Sequence, residues 1–283
     1  MTDGAAPPPP DDGIASESRD SYRPDPPRSG LGLKDDLIMA LRFFSRLPTG
    51  DSAHEKPDLG RIAMALPLAA VIMAAIPIVL LLSVWLGLPG YFAAALAVAA
   101  MVVVGGGMME DSLADAADGL FGGSTVERRL AILKDSRHGT YGVAALCLFL
   151  LLRVTALGSV AVVNPLAAAG LWLAANIAGR QGALWVAVAL PPARAHGASA
   201  SAGTLPKSRF AVGAALAILL VFVLGAPASS LLGVIAAILA VALVALGWTA
   251  LCRRLVGGQT GDLIGAAAGL GEIAALAVLL IFA

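Results

Sequence analysis

Charge is what this sequence has least of. Of its 283 residues only 13% are Asp, Glu, Lys or Arg, and 58% are hydrophobic. An ordinary soluble domain carries about 25% charged residues, so the shortage excludes a conventional soluble fold. Histidine is scarce too: His54, His138 and His196 are scattered along the chain, which leaves no histidine cluster to bind a metal. The two cysteines, Cys147 and Cys252, fall in or beside apolar runs. They have neither zinc spacing nor a disulfide framework and are expected to serve packing. Lys plus Arg equals Asp plus Glu, 19 against 19. No excess of positive charge therefore calls for nucleic acid or another polyanion. A basic start followed by an apolar core is also missing, so no signal peptide is expected. Residues 1–33 instead hold the run Pro7 to Pro10 and further Asp, Ser, Arg and Pro. Such a segment has little to bury and reads as a disordered tail, leaving 34–283 as one helical membrane domain.

What the sequence has in abundance is long apolar runs. Crossing about 30 Å of hydrocarbon takes about 20 residues of helix. Seven runs are candidates, at 62–86, 91–107, 141–163, 166–190, 210–226, 228–251 and 263–282. The fold class expected is therefore all-α, a polytopic membrane protein of about seven transmembrane helices. Asp36 to Pro48 is apolar but too short to cross, and is dotted with Arg42 and Arg46; it is expected as an interfacial helix. The connections at 87–90, 164–165 and 227 carry no charge, whereas every other connection carries Lys or Arg. Basic loops stay on the cytoplasmic side, which predicts a cytoplasmic amino terminus and an external carboxyl end.

One stretch stands out, Met108 to Gly119. Asp111, Asp115 and Asp118 lie at i, i+4 and i+7. At about 100° per residue they fall on one stripe of a helix. Like charges so placed cost a helix a few tenths of a kcal/mol per pair, and a divalent cation removes that cost. Carboxylate oxygens suit a hard ion, Mg2+ or Mn2+, which usually shares its shell with substrate phosphates. The bland alternative is a solvated acidic face, which the apolar flanks disfavour.

The polar insert continues to residue 139. Ser124-Thr125-Val126-Glu127 has the form of a capping box, and a short helix is expected from there to His138-Gly139. Arg128 and Arg129 read as anchors to anionic membrane lipid; Lys134 and Arg137 read as phosphate contacts. Near the carboxyl end, Gly257-Gly258-Gln259-Thr260-Gly261-Asp262 precedes the last apolar run. Its glycines let backbone approach a ligand, and amides at a helix start attract phosphate. Asp262 is placed as amino-cap, as metal ligand, or as both. Within the runs themselves stand Arg153, Asn176, Arg180, Gln181 and Glu272. A charge at mid-bilayer costs about 2.5–3.5 kcal/mol, so a Glu272–Arg180 or Glu272–Arg153 pair is expected, lining a polar cavity.

These segments resemble cobalamin synthase, the adenosylcobinamide-GDP ribazoletransferase family. Asp111, Leu113, Ala114, Asp115, Asp118 and Gly119 match its D-G-L-A-D-x-x-D-G element. Arg128 to Gly142 match its R-R-L-x-I-x-K-D-S-R-x-G-T-x-G element, and Gly257 to Asp262, with Gly265 and Ala266, match G-G-Q-T-G-D-x-x-G-A. Phe43 to Pro48 looks like its early F-x-x-R-L-P. Two positions depart: Met109 stands for the family's His and Ser112 for its Gly. The resemblance implies a Mg2+-dependent transfer joining adenosylcobinamide-GDP to alpha-ribazole, or its 5'-phosphate, with loss of GMP. The residues it marks are Asp111, Asp115 and Asp118 as metal ligands and, with Asp262, as catalytic groups. Arg46, Lys134, Arg137, Thr140, Gln259, Thr260 and Gly261 are expected to bind substrate, as are Arg180 and Glu272 from the mid-span polar cavity. A bacterial inner-membrane location with a cytoplasmic active face goes with it, and a homo-oligomer is compatible. The rivals are a CDP-alcohol phosphotransferase, which wants an Arg that the aspartate stretch lacks, a polyprenyl transferase, which wants a second Asp-rich motif, and a transporter, for which no inverted repeat is seen.

Overall fold

The computed structural model describes residues 32–50, 57–135, 137–194 and 204–283. The tail expectation at 1–31, with His54, Ser136 and His196, lies outside these residues. The described residues are helical apart from short turns and one 3-10 segment, Leu82–Leu86. In chain order the helices are α1 (Leu33–Phe44), α2 (Leu59–Leu81), α3 (Gly90–Gly105), α4 (Met108–Gly122), α5 (Val126–Ile132), α6 (Thr140–Ala161), α7 (Pro165–Ala183), α8 (Trp185–Ala189), α9 (Lys207–Gly225), α10 (Leu231–Val256) and α11 (Gly261–Ile281).

Local chemistry sets most of the ends. The Asp58 carboxylate accepts from the amides of Gly60 and Arg61 to start α2. Asn164 caps α7 ahead of Pro165, and Ser230 caps α10; each side-chain oxygen satisfies an amide that has no partner within the helix. Pro67 and Pro77 sit inside α2 without ending it, as membrane helices tolerate where neighbouring groups take up the freed carbonyls.

Apolar side chains cover all sides of the outer helices. Leu148, Leu151 and Leu152 of α6, Leu219 and Val223 of α9, and Leu239, Leu243 and Leu246 of α10 are all exposed. A helix apolar all round is one that lives in lipid, and this is a multi-pass membrane protein. Cys252 packs inward as expected, while Cys147 is exposed on α6. Five helical stretches are long and apolar enough to cross by themselves: α2 with its 3-10 extension, α6, α9, α10 and α11. The count rises to six if α3 and α4 form one broken span, so length and composition account for five or six of the seven spans read from the sequence. Two physical reasons account for the difference. The apolar run at 91–107 ends in a bend of 85°, where Gly106 and Gly107 take φ of +64° and +67°, a left-handed turn that side chains with a Cβ resist. And α7 carries Asn176, Arg180 and Gln181 inside an otherwise enclosed helix, buried along almost its whole length.

That enclosed helix is the centre of the fold. Trp172, Leu171 and Ile177 of α7 join the largest apolar cluster, with Leu157 of α6, Val221 of α9 and Leu279 of α11. α7 crosses α11 at Gly179 and Gly271, whose backbones touch. The crossing sets Asn176 and Arg180 level with Glu272. A short helix forms in the segment expected to be interfacial, α1 lying on α2 through Met39, Ala40 and Leu41 with Asp36 paired to Arg61 at 3.0 Å.

Candidate active site

The site begins at the bend between α3 and α4. Arg46 lies across it: its backbone amide donates to the Val104 carbonyl at 2.8 Å, and its side chain covers Gly106 so closely that a Cβ there would meet Nε at 2.6 Å. From the bend α4 carries the aspartates. Asp111 is exposed, Asp115 is half-buried and Asp118 is buried. The charges of Asp111, Asp118 and Asp262 all act on Asp115, and the His138 imidazole stands beside it, Nδ1 3.8 Å from Oδ1. Among the described residues no salt bridge neutralises Asp111 or Asp262. Asp262 comes from the first turn of α11, not from its cap; Thr260 is the cap, accepting from the Leu263 amide at 3.3 Å.

Asp118 is used otherwise. Its Oδ2 accepts from the Gly139 amide at 2.6 Å and its Oδ1 from the Gly142 amide at 2.9 Å. It caps α6 from a different helix. A Cβ at Gly139 would stand 2.6 Å from Oδ1, and one at Gly142 would also collide with the carboxylate, so both glycines are needed for this approach. Asp118 therefore turns away from the stripe shared by Asp111 and Asp115.

The insert is tied down by its own basic residues. Arg129, expected as a lipid anchor, donates to the Leu120 carbonyl at 3.1 Å and the Leu255 carbonyl at 3.2 Å, closing the ends of α4 and α10. Arg194 donates to the Leu130 carbonyl at 2.7 Å. Helix α5 is shorter than expected and starts from Thr125, not Ser124, with the Thr125 hydroxyl accepting from the Arg128 amide. Arg137 is exposed and paired with Asp135 at 2.7 Å, which holds that carboxyl down at about 2. Lys134 and Thr140 are exposed.

Behind α4 four helices pool their charges. Arg153 of α6 is fully buried and donates to Glu272 of α11 at 2.9 Å and to Glu110 of α4 at 3.0 Å. Its guanidinium faces the rings of Phe149 and Trp172. Glu272 also accepts from Trp172 Nε1 at 3.0 Å and Asn176 Nδ2 at 3.1 Å. Of the two pairings expected, Arg153–Glu272 is the one formed; Arg180 reaches the cluster through Asn176, its Nε donating to Oδ1 at 3.1 Å. Gln181 turns away, toward α9. Glu110 was not singled out from the sequence. The signal was present, since it is an acid one residue off the aspartate stripe in a chain with a second arginine buried mid-span.

A cavity of about 230 Å3 lies between this cluster and the carboxylate face. Arg180, Glu110, Ser112, Gln259, Gly261 and Asp262 supply its polar lining; Phe43, Phe44, Met101, Met108, Met109 and Ile264 supply most of the rest. Gln259 is held by its backbone, which exchanges bonds with Pro191 and Ala193. Met109 lies against Gly269, and Ser112 packs directly on Gly265. The structure thus gathers Arg180, Gln259, Gly261 and Asp262 around one space, with Asp111 and Asp115 beside it. It leaves Lys134, Arg137 and Thr140 outside the cavity, Arg46 at the bend and Glu272 behind the wall.

The carboxylates fit a hard cation. Asp111 and Asp115 offer oxygen donors one helical turn apart, and among the described residues no lysine or arginine is paired to them. Among the described residues no three acidic, histidine or cysteine side chains form a ready cage. Mg2+ does not need one, since it is usually held by one or two carboxylates plus phosphate oxygens.

Comparison with known proteins gives one answer. A family described as cobalamin-5-phosphate synthase matches residues 36–280. A relative from Azorhizobium caulinodans named adenosylcobinamide-GDP ribazoletransferase is 44% identical over 254 residues, covering 88% of this chain and 96% of that one. Relatives of the same name from Xanthobacter autotrophicus and Bradyrhizobium diazoefficiens are 43% and 41% identical, covering 88% and 86% of this chain and 97% and 92% of theirs. No solved structure matches.

Proposed function

The chain belongs to the cobalamin-5-phosphate synthase family, and on that footing we propose that it is an adenosylcobinamide-GDP ribazoletransferase. It joins adenosylcobinamide-GDP to alpha-ribazole, or to its 5'-phosphate, and releases GMP. A hydroxyl of the ribazole ribose attacks the phosphorus linked to cobinamide, and the bond from that phosphorus to GMP breaks. Such a transfer needs alignment and charge stabilisation more than a covalent enzyme group. Bound Mg2+ would supply positive charge to the diphosphate oxygens. Asp111 and Asp115 would hold it on the exposed face of α4. Asp262 belongs both to that face and to the cavity rim, and this double membership is the observation that carries the reading. It sets Asp262 where a ribose hydroxyl leaving the cavity meets the diphosphate, and there it takes the hydroxyl proton. Asp118 positions α6 and the loop before it, and Lys134 and Arg137 on that loop contact phosphate oxygens. Gln259, Thr260 and Gly261 shape the rim. We place the protein in the bacterial inner membrane with this face to the cytoplasm, from the alternation of basic and uncharged loops.

The test is GMP release by the purified protein in lipid nanodiscs supplied with adenosylcobinamide-GDP, alpha-ribazole 5'-phosphate and Mg2+. EDTA stops release and added Mg2+ restores it. Asp111→Asn and Asp115→Asn each lower turnover by about 100-fold or more, the scale of a lost electrostatic contact in a transition state. Release that persists in EDTA sinks the metal assignment, and no GMP from any ribazole form sinks the reading.

A further inference from the structure

A second cavity opens toward lipid between α9 and α10. The two helices meet at their uncharged ends, where a Cβ on Gly225 would stand 3.1 Å from Val234. Further along they leave a groove. One wall runs from Val221 to Phe210 of α9 and the other from Ile238 to Leu246 of α10, with Ala178 and Gly182 of α7 as the floor. Ile218 and Leu246, on its lips, are exposed. Trp185 of α8 closes the far end, its ring edge-on to Phe210 with centroids 5.6 Å apart. Gln181, also on the floor, has its amide on the Phe210 carbonyl, so the space offers a guest almost nothing but hydrocarbon. From Phe210 to Val221 the wall covers about 16 Å of helix. That is roughly half of the 30 Å that a full crossing takes, the depth of one leaflet. Just beyond the far end the chemistry changes. Lys207 comes one turn before Phe210 and two before Ala214, and Arg253 two turns after Leu246. Such spacings keep both on the groove face of their helices, whereas Arg254 falls about 100° round from Arg253. Both are exposed. Arg253 also reaches the Ala189 carbonyl at 3.5 Å, one turn along α8 from Trp185, which holds it over the closed end.

We propose that the groove between α9 and α10 holds an anionic phospholipid of the surrounding membrane, one acyl chain lying on α7 and the headgroup phosphate at Lys207 and Arg253. The groove is apolar within, one leaflet deep and basic at its mouth. An aromatic ring stands at the level where headgroup meets chain, as tryptophans do at membrane interfaces, and basic side chains there draw anionic lipid. A helix from a second copy would need a furrow along the whole crossing, and this one is shut where Gly225 meets Val234. No groove residue also lines the cavity beside the carboxylates, so the lipid site stands apart from the transferase reading.

In the experiment the full chain is placed in nanodiscs of equal parts phosphatidylglycerol and phosphatidylcholine, and the lipid that stays with it on release into detergent is counted by native mass spectrometry. The native chain keeps phosphatidylglycerol over phosphatidylcholine by about thirtyfold, at about fivefold for each basic side chain near a membrane surface. Lys207→Gln and Arg253→Gln each lower that ratio by about fivefold, and together they abolish it. Arg254→Gln, the same loss of charge on another side of α10, leaves it unchanged. Ala242→Phe, at an exposed position on the groove wall, displaces both lipids alike. A native chain that keeps the two lipids equally or keeps neither overturns the proposal. So does a preference that survives the paired Lys207 and Arg253 substitutions or falls as far with Arg254→Gln, or retention untouched by Ala242→Phe. A dimer that carries no lipid and is split by Ala242→Phe also overturns it, since the groove then seats a second copy. If Ala242→Phe does not fold, the charge variants decide.

Discussion

Asp118 shares a stripe with Asp111 and Asp115 in the sequence and parts from them in the structure. Two amides, from Gly139 and Gly142, take both its oxygens. Leaving the buried Gly142 donor unpaired costs about 1–3 kcal/mol. Asp118→Ala is therefore expected to lower unfolding stability in detergent by at least that much. Gly142→Ala, which drives a methyl into the same carboxylate, has a similar effect. Because both changes break one contact, the double variant costs less than the sum of the two; strict additivity in thermal unfolding would refute the shared seat. The stripe itself was legible because helical periodicity is a property of sequence. The partner of its last member was not, since a carboxylate meeting amides 21 and 24 residues away depends on how two helices lie together. In hindsight Gly139 and Gly142 were the trace: two glycines three apart at a helix start suit a bulky neighbour pressed against the backbone.

At the level of elements, the buried charges decide how α4, α6, α7 and α11 assemble. Arg153 serves two acids at once, so Arg153→Met strands both and is expected to cost about 3–5 kcal/mol. Adding Glu110→Gln and Glu272→Gln recovers part of that loss in a denaturant titration, because amides tolerate the dry site where carboxylates do not. A triple variant no more stable than the single one would show that the arginine acts by its bulk alone. That two of the mid-span charges would pair was readable from the cost of leaving them bare. Which arginine wins was not, since Arg153 and Arg180 lie at similar depth in the sequence reading, and only the crossing of α7 with α11 puts Asn176 between Arg180 and Glu272. Helix existence was equally readable from apolar length. The fate of the run at 91–107 was less so, because Gly105-Gly106-Gly107 can end a helix, kink it or pass unnoticed, and here it turns the chain through 85°.

For the molecule as a whole, the polar ends keep each other's company. Arg129 with Leu255, Arg194 with Leu130, and Asp118 with Gly139 join charged segments to one another. Uncharged ends do likewise, with Gly90 against Val162 and Ser229 bonded to Leu279. Distinct compositions at the two ends are what a two-sided environment selects. With Cys147 and Cys252 replaced by Ser, a membrane-impermeant thiol reagent is expected to label Lys134→Cys only in inside-out vesicles and Val163→Cys only in right-side-out ones. The reverse pattern would invert the proposed topology.

The seat of Asp118 has a mechanical consequence. It rivets the loop that bears Lys134 and Arg137 to the helix that bears Asp111 and Asp115, so these two jaws of opposite sign share a single pin. In the reaction proposed above, that pin would couple the phosphate-binding loop to the metal-binding face, so loosening it would disturb both at once.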